Sequence, residues 1–223
     1  MILGITGGLG CGKSTAGHLF ESRGFRRLDS DVLMRENILT APGVLAALQA
    51  RYGPAVLQPD GTVNRRALAD RIFPHDVERI WLEELTHPLL FDIWRAELAV
   101  GARLEGVGAR LGGVGGGALW AFEVPLLFEQ RLENWFDFTV CVACSARQQI
   151  VRLEQRGLNR VLAGQRISKQ LPLGRKIELA DFVLWNEGST GFLRAQVDLL
   201  VDSLISRAGT SALAPGADSL PPK

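Results

Sequence analysis

Three cysteines in a chain of 223 residues are too few for a disulfide framework, and an odd count suits a reducing compartment. Cys141 and Cys144 do form a CxxC in "FTVCVACSA". Zinc would want a second such pair or histidines at ligand spacing, and a redox motif would want the pair opening a helix. Here it lies in a strand-like run, so two small buried apolar side chains are the better reading. No run of about 18 apolar residues occurs, which excludes a simple membrane-spanning helix. The opening "MILGITGG" has neither the basic start nor the long apolar stretch of a secretory signal, and the expectation is a cytoplasmic protein. A net charge of +1 supplies no bulk attraction for nucleic acid or a membrane surface, so a ligand must be held by local charge.

What is present is the balance of a globular protein, 47% apolar and 22% charged, with length for one domain of ordinary size or one carrying a large insertion. Short apolar strands alternate with helices. "ILGIT" and "FRRLD" read as the first two strands, "ALWAFEVPLLF" and "DFTVCVAC" as two more, and "DFVLWN" as the last. Continuous apolar runs of this length suit buried parallel strands. Strands alternating with helices predict an α/β fold with a parallel sheet. Between Val32 and Gly101 the texture is helical. Asn64 is placed to cap "TVNRRALADRIF", and a long amphipathic run passes through Trp81, Leu85, Leu89 and Trp94, with Pro88 expected to kink or break it. Ser145 with Gln148 has the spacing of a capping box, Asn159 can cap the next helix, and the closing helix is expected to bury Phe192, Val197, Leu200, Val201 and Leu204. The glycine-rich stretch 101–118 reads as a flexible loop, and the small, polar tail "GTSALAPGADSLPPK" as disordered.

Chemistry begins at "GITGGLGCGKST". Gly7, four residues, then Gly12, Lys13 and Ser14 match GxxxxGK[ST] between an apolar strand and an amphipathic helix, the context a phosphate loop needs. Backbone N–H groups and the helix's positive end cradle a polyphosphate, which assigns Gly8, Gly10, Cys11, Gly12, Lys13, Ser14 and Thr15 to the phosphates of a nucleotide. Lys13 reaches the β and γ phosphates, and the Ser14 hydroxyl is the expected Mg²⁺ ligand. A phosphate loop alone leaves a kinase, a GTPase switch and an ATP-driven motor open. The switch reading wants an Asn-Lys-x-Asp element for guanine, and none is found.

The acceptor side is read from "LDSD", which places Asp29 and Asp31 just after the second strand, near the carboxyl-end crevice of a parallel sheet. A carboxylate there can take the proton of an attacking hydroxyl. Arg152, Arg156 and Arg160 recur every fourth residue, followed by Arg166, Arg175 and Lys176. The cluster suits a lid over phosphates or, failing that, a solvated face paired with Glu154 and Glu178.

Taken together, the motifs resemble the dephospho-CoA kinase family. The phosphate loop, "LDSDVLMRE", "DGTVNRRALADRIF" with Arg65, Leu68 and Phe73, "HPLL" at 87–90, "VPLLFE" at 124–129 and "RISKQLPLGRKIELADFVLWNEGS" carry the resemblance over about residues 2–200. It implies a P-loop NTP hydrolase fold, α/β, with a five-stranded parallel sheet, a helical CoA-binding insertion and a lid. The implied parts are one kinase domain over 1–207, its core at 1–31 and 118–207, the insertion at about 32–100, a glycine-rich loop at 101–117 and the lid at about 150–178, with a tail at 208–223. The implied reaction passes the γ-phosphate of ATP, with Mg²⁺, to the ribose 3′-hydroxyl of dephospho-CoA. The implied roles are Asp31 as general base, Lys13, Arg152 and Lys176 on the transferring phosphate, Arg65 and His87 in the acceptor pocket, and Arg156 and Asn186 on ATP. Glu123 falls where a magnesium-associated acid or an ordinary strand-end carboxylate can stand. Another small-molecule P-loop kinase is the rival reading, and the expected state is a monomer or weak homo-oligomer.

Overall fold

A computed structural model describes residues 1–72, 74–108 and 118–211. Phe73, the glycine-rich residues 109–117 and the tail from 212 onward, all singled out above, lie outside the described residues. The chain forms two compact units, Met1–Asp29 with Leu104–Lys223, and Ser30–Arg103.

The first unit is built on five strands: β1 (Ile2–Gly7), β2 (Arg26–Asp29), β3 (Trp120–Glu123), β4 (Phe138–Ala143) and β5 (Phe182–Trp185). All neighbouring pairs are parallel, in the order β2-β3-β1-β4-β5. The apolar runs explain why: β1, β3 and β4 are covered on both faces, and Leu3, Ile5, Ala121, Val140 and Val142 have no or almost no exposed surface. Strand order reverses across β1, and in such sheets the crevice outside the carboxyl ends at the reversal takes the ligand. Register brings Ile5, Asp29 and Glu123 to one level at that end.

Helix α1 (Lys13–Ser22) follows β1 and buries Ala16, Leu19 and Phe20, the last edge-on to Phe25 with ring centroids 5.3 Å apart. The last helix of the chain, α9 below, buries Leu193, Val197, Val201 and Leu204 in the same core. Each such side chain contributes on the order of 1.5–3 kcal/mol when fully buried. Val197, Leu200, Val201 and Leu204 are buried as expected, but Phe192 is exposed and Leu193 takes its place. Leu193 stands one four-residue step before Val197, whereas Phe192 is five residues away and turned off that stripe.

The second unit carries α2 (Ser30–Leu33), a π-helical turn over Met34–Ile38, α3 (Pro42–Tyr52), α4 (Arg65–Ile72) and most of α5 (Asp76–Gly108). Asn64 accepts from the Ala67 amide at 3.1 Å and so starts α4 as its sequence position predicts. Two expectations on α5 need correction. Pro88 does not break the helix, which runs on through it, and the glycine-rich stretch, expected to be a loop from residue 101, is helical as far as Gly108. Its buried face is Thr86, Leu90 and Trp94 at four-residue spacing, with Leu89 turned outward.

The rest of the first unit's helices are α6 (Ala146–Gln155), α7 (Arg160–Ser168), α8 (Leu173–Leu179) and α9 (Thr190–Ser211). α9 continues four residues past the expected start of the tail. Among the described residues no helix is long and apolar enough to cross a membrane.

Candidate active site

The loop from Gly7 to Gly12 leaves the central strand β1 and enters α1. Its turns need left-handed backbone at three glycines, Gly7 (φ 142), Gly10 (φ 80) and Gly12 (φ 94). The Cys11 amide closes back on the Gly8 carbonyl at 3.1 Å. Gly12 caps α1 with no side-chain acceptor for the first turn, the arrangement that leaves helix-start amides to an external anion. A Cβ at Gly12 would also drive into the Asn186 carboxamide, so both conformation and space call for glycine here.

Lys13 Nζ lies 3.3 Å from the carbonyl oxygens of Gly7 and Gly8, so its ammonium is folded over the loop. Ser14 and Thr15 are exposed at the mouth of the helix. Glycines 8 and 10 are buried within the loop.

Three side chains from α6 and the end of β5 grip this loop by its carbonyls. Gln149, buried, donates Nε2 to Leu9 O at 2.9 Å. Asn186, buried, donates Nδ2 to Cys11 O at 2.8 Å. Arg152 donates to Gly10 O at 3.5 Å and Cys11 O at 3.4 Å with one nitrogen, and to Asn186 O at 2.9 Å with the other. Fixing carbonyls outward turns the loop amides inward, the geometry of an anion nest. α6 itself is anchored at its N-cap: Ser145 Oγ accepts from the Gln148 amide at 3.2 Å. The reciprocal half of the box comes from Glu187, which accepts from the Ser145 amide at 2.7 Å and from its hydroxyl at 2.6 Å. Those bonds hold the Glu187 carboxyl below the usual range.

The basic cluster divides. Arg152 joins the loop; Arg156, closing α6, and Arg160 are exposed; Arg175 pairs with Glu178 on an exposed face. Lys176 is fully buried, pairing with Glu129 at 2.8 Å and donating to Pro125 O at 2.8 Å. Thr6 Oγ1 donates to the same carbonyl at 3.2 Å, and Glu129 also accepts from the Leu171 amide at 2.9 Å. Its ammonium therefore ties α8 to the turn after β3, a positioning geometry and not that of a charge open to phosphate. Removing either partner would leave a buried charge uncompensated.

Glu123 is buried, with Arg27 Nε at 2.5 Å, and the same guanidinium reaches Asp29 at 3.3 Å. This ion pair packs against Gly17 of α1 so closely that a Cβ there would strike both partners. It is a strand-end carboxylate neutralised by an arginine.

In the second unit Asp31 is exposed in the first turn of α2, two residues beyond the end of β2. Arg65 is exposed at the first position of α4. His87 is half-buried on α5, its ring 5.7 Å from that of Phe91, and burial pushes its pKa below the ordinary 6.5. Among the described residues no group of three or more His, Cys, Asp or Glu is placed to hold a metal ion.

A family model described as dephospho-CoA kinase matches residues 1–191. The chain belongs to the dephospho-CoA kinase family. It is 41% identical to the dephospho-CoA kinase of Thermosynechococcus vestitus over 209 residues, 93% of this chain and 96% of that one. It is 34% identical to that of Synechocystis sp. over 198 residues, 88% and 92% of the two chains. Among solved structures it resembles a Thermus thermophilus protein at TM-score 0.72 and 31% identity, covering 92% of this chain and 97% of the other. It also resembles, in fold, the Campylobacter jejuni dephospho-CoA kinase at TM-score 0.61 and 20% identity, covering 92% and 98%. The P-loop fold and an ATP-dependent kinase activity follow from membership of the dephospho-CoA kinase family.

The motif located the loop of this dephospho-CoA kinase family member but not what holds it. Gln149 and Glu187 were missed. Gln149 sits mid-helix among polar neighbours, and only its burial singles it out. Glu187 could have been found from the "NEG" after the last strand, since a carboxylate there lies level with the start of α6.

Proposed function

We propose that this chain transfers the γ-phosphoryl group of ATP to the 3′-hydroxyl of dephospho-CoA, releasing ADP and CoA, in one in-line step without a phosphoenzyme. The observation that carries the reading is the phosphate loop itself: three left-handed glycines, a lysine folded over it, and the buried Gln149 and Asn186 with Arg152 fixing its carbonyls, in a chain of this family. The new bond joins the 3′-oxygen to Pγ while the Pγ–O–Pβ bond breaks, and the hydroxyl proton passes to the Asp31 carboxylate.

Lys13 and the loop amides stabilise charge on the transferring group. Arg152 acts from the loop's carbonyl side, keeping that cradle in shape, and its charge adds to the same field. Arg156, exposed on α6, is the lid cation available to ATP, and Lys176 positions α8. Asn186 serves ATP through the loop carbonyl it holds. Arg65 and His87 serve the acceptor, the first as a cation for its phosphates and the second as a neutral imidazole.

Mg²⁺ is bound in such sites mainly by substrate phosphates and water, with only one or two protein oxygens, so the exposed Ser14 hydroxyl is a donor set that fits it. When bound, the ion offsets negative charge on the β and γ phosphates. On this reading the enzyme is cytoplasmic, and it works as a monomer or weak homo-oligomer without nucleic acid or a membrane.

The test is Asp31→Asn assayed with ATP and dephospho-CoA. ATP affinity should be kept while kcat falls by about two orders of magnitude, the usual worth of a general base. A kcat near that of the unaltered protein removes Asp31 from the role.

A further inference from the structure

All three cysteines are buried and unpaired by disulfide, yet two of them, 133 residues apart in sequence, touch. Cys144 Sγ–H donates to Cys11 Sγ at 3.4 Å. Cys11 belongs to the phosphate loop, between the left-handed Gly10 and Gly12, and Cys144 lies between the end of β4 and the N-cap of α6. Cys141 lies three residues earlier in β4, and burial pushes its thiol up to about 12.

We propose that Cys11 and Cys144 form an oxidative modification site: a hydroperoxide converts them to a disulfide that disables the phosphate loop, and thiols restore it. The Cys11 thiolate attacks the peroxide, taking one oxygen to give a sulfenic acid and releasing water. The Cys144 thiol then displaces that oxygen as a second water, so two thiols and one hydrogen peroxide give one disulfide and two waters.

Three features support this site. The sulfurs are already in contact and need approach each other by only about 1.3 Å to reach bonding distance. The hydrogen bond from Cys144, assisted by the charge of Lys13, lowers the Cys11 pKa, while Cys144 is raised as the donor, so attacking and resolving sulfurs are distinguished. And the oxidant is small: Cys11 is 0% and Cys144 2% exposed, which excludes bulky disulfides, whereas hydrogen peroxide is near the size of water.

The consequence follows from what Cys11 carries. Its carbonyl oxygen is held by Asn186 at 2.8 Å and by Arg152 at 3.4 Å, and its neighbour Gly12 heads α1. Drawing its sulfur onto Cys144 pulls that peptide against these bonds and turns the adjacent amides away from a bound phosphate. The inference rests on the reading of this loop as the ATP cradle, and the reduced protein's own affinity for ATP tests that reading separately.

The experiment treats the full-length protein with hydrogen peroxide, blocks remaining thiols under denaturing conditions and maps the linked peptides, measuring ATP affinity before and after. The expected result is a Cys11–Cys144 linkage, ATP binding weakened about tenfold or more, and recovery of both with dithiothreitol. Cys144→Ala should bind ATP as the untreated protein does and form no linked peptide. Two results overturn the proposal while reduced protein still binds ATP: both cysteines remaining open to alkylation after peroxide, or linked protein that binds ATP as before. Either can be read on the natural sequence, so the proposal stays testable if the variant fails to fold.

Discussion

The phosphate loop and the helical unit Ser30–Arg103 are stabilised in opposite ways. The loop is fixed by backbone: left-handed glycines, carbonyls gripped by Gln149, Asn186 and Arg152, and almost no exposed surface on Gly8, Gly10 or Cys11. The helical unit is fixed by side chains. Its helices bury Val44, Leu48, Leu68, Ile72, Leu90 and Trp94 and are cross-linked at the surface by Arg51, which pairs with Glu78 at 2.7 Å and lies over the Trp81 ring at 4.5 Å. Tyr52 donates to the same Glu78, and with Arg51 holds its carboxyl down to about 2. A polyphosphate is bound by peptide groups in one geometry, so few side chains are tolerated there.

The comparison can be broken most sharply at Lys13. Lys13→Ala should lower kcat/KM for ATP by about two to three orders of magnitude, as removal of a transition-state donor does, while thermal unfolding stays close to that of the unaltered protein. A large fall in stability instead would make Lys13 part of the framework. Gly12→Ala comes next: a side chain at φ 94 costs about 1–2 kcal/mol, and the displaced Asn186 carboxamide adds to it. ATP affinity should fall about tenfold with the fold retained, measured by calorimetric titration; unchanged affinity would show that the cradle does not depend on this backbone.

A smaller effect is expected one layer behind the loop. Ser145→Ala removes the cap of α6 and should cost about 0.5–2 kcal/mol in denaturant unfolding, the usual range for such a cap. In the helical unit the sharpest handle is pH. His87 is half-buried with its pKa lowered from 6.5, so below that value the unfolded chain takes up a proton more readily than the folded one. The stability it affects is therefore present above pH 6.5 and declines as pH falls from there toward the lowered folded value. His87→Gln should flatten that part of the stability curve; an unchanged slope would place the titration elsewhere.

The two regions were unequally legible. The loop could be read from twelve letters because its chemistry requires glycine at set positions and a lysine at the helix start, and the parallel sheet followed from continuous apolar runs. Asn64, Ser145 and Asn159 were legible as caps because capping is local; each accepts from an amide three residues on. What was not legible depended on contacts distant in sequence. That Lys176 points inward to Glu129 and Pro125 and Arg175 outward cannot be read from two adjacent basic letters. Likewise Leu89 and Leu90 are equivalent as letters, and only packing selects Leu90 for the interior. The choice of Asp31 over Asp29 and the roles proposed for Arg65 and His87 came from family resemblance, since acceptor-side groups obey no periodic rule.

The central claim is that the phosphate loop serves one acceptor, and the direct measurement is ADP release by the purified protein with MgATP and a panel of dephospho-CoA, AMP, shikimate and gluconate. The account predicts release with dephospho-CoA, matched by CoA formed, and only background with the other three. Turnover of another acceptor with none for dephospho-CoA would contradict it.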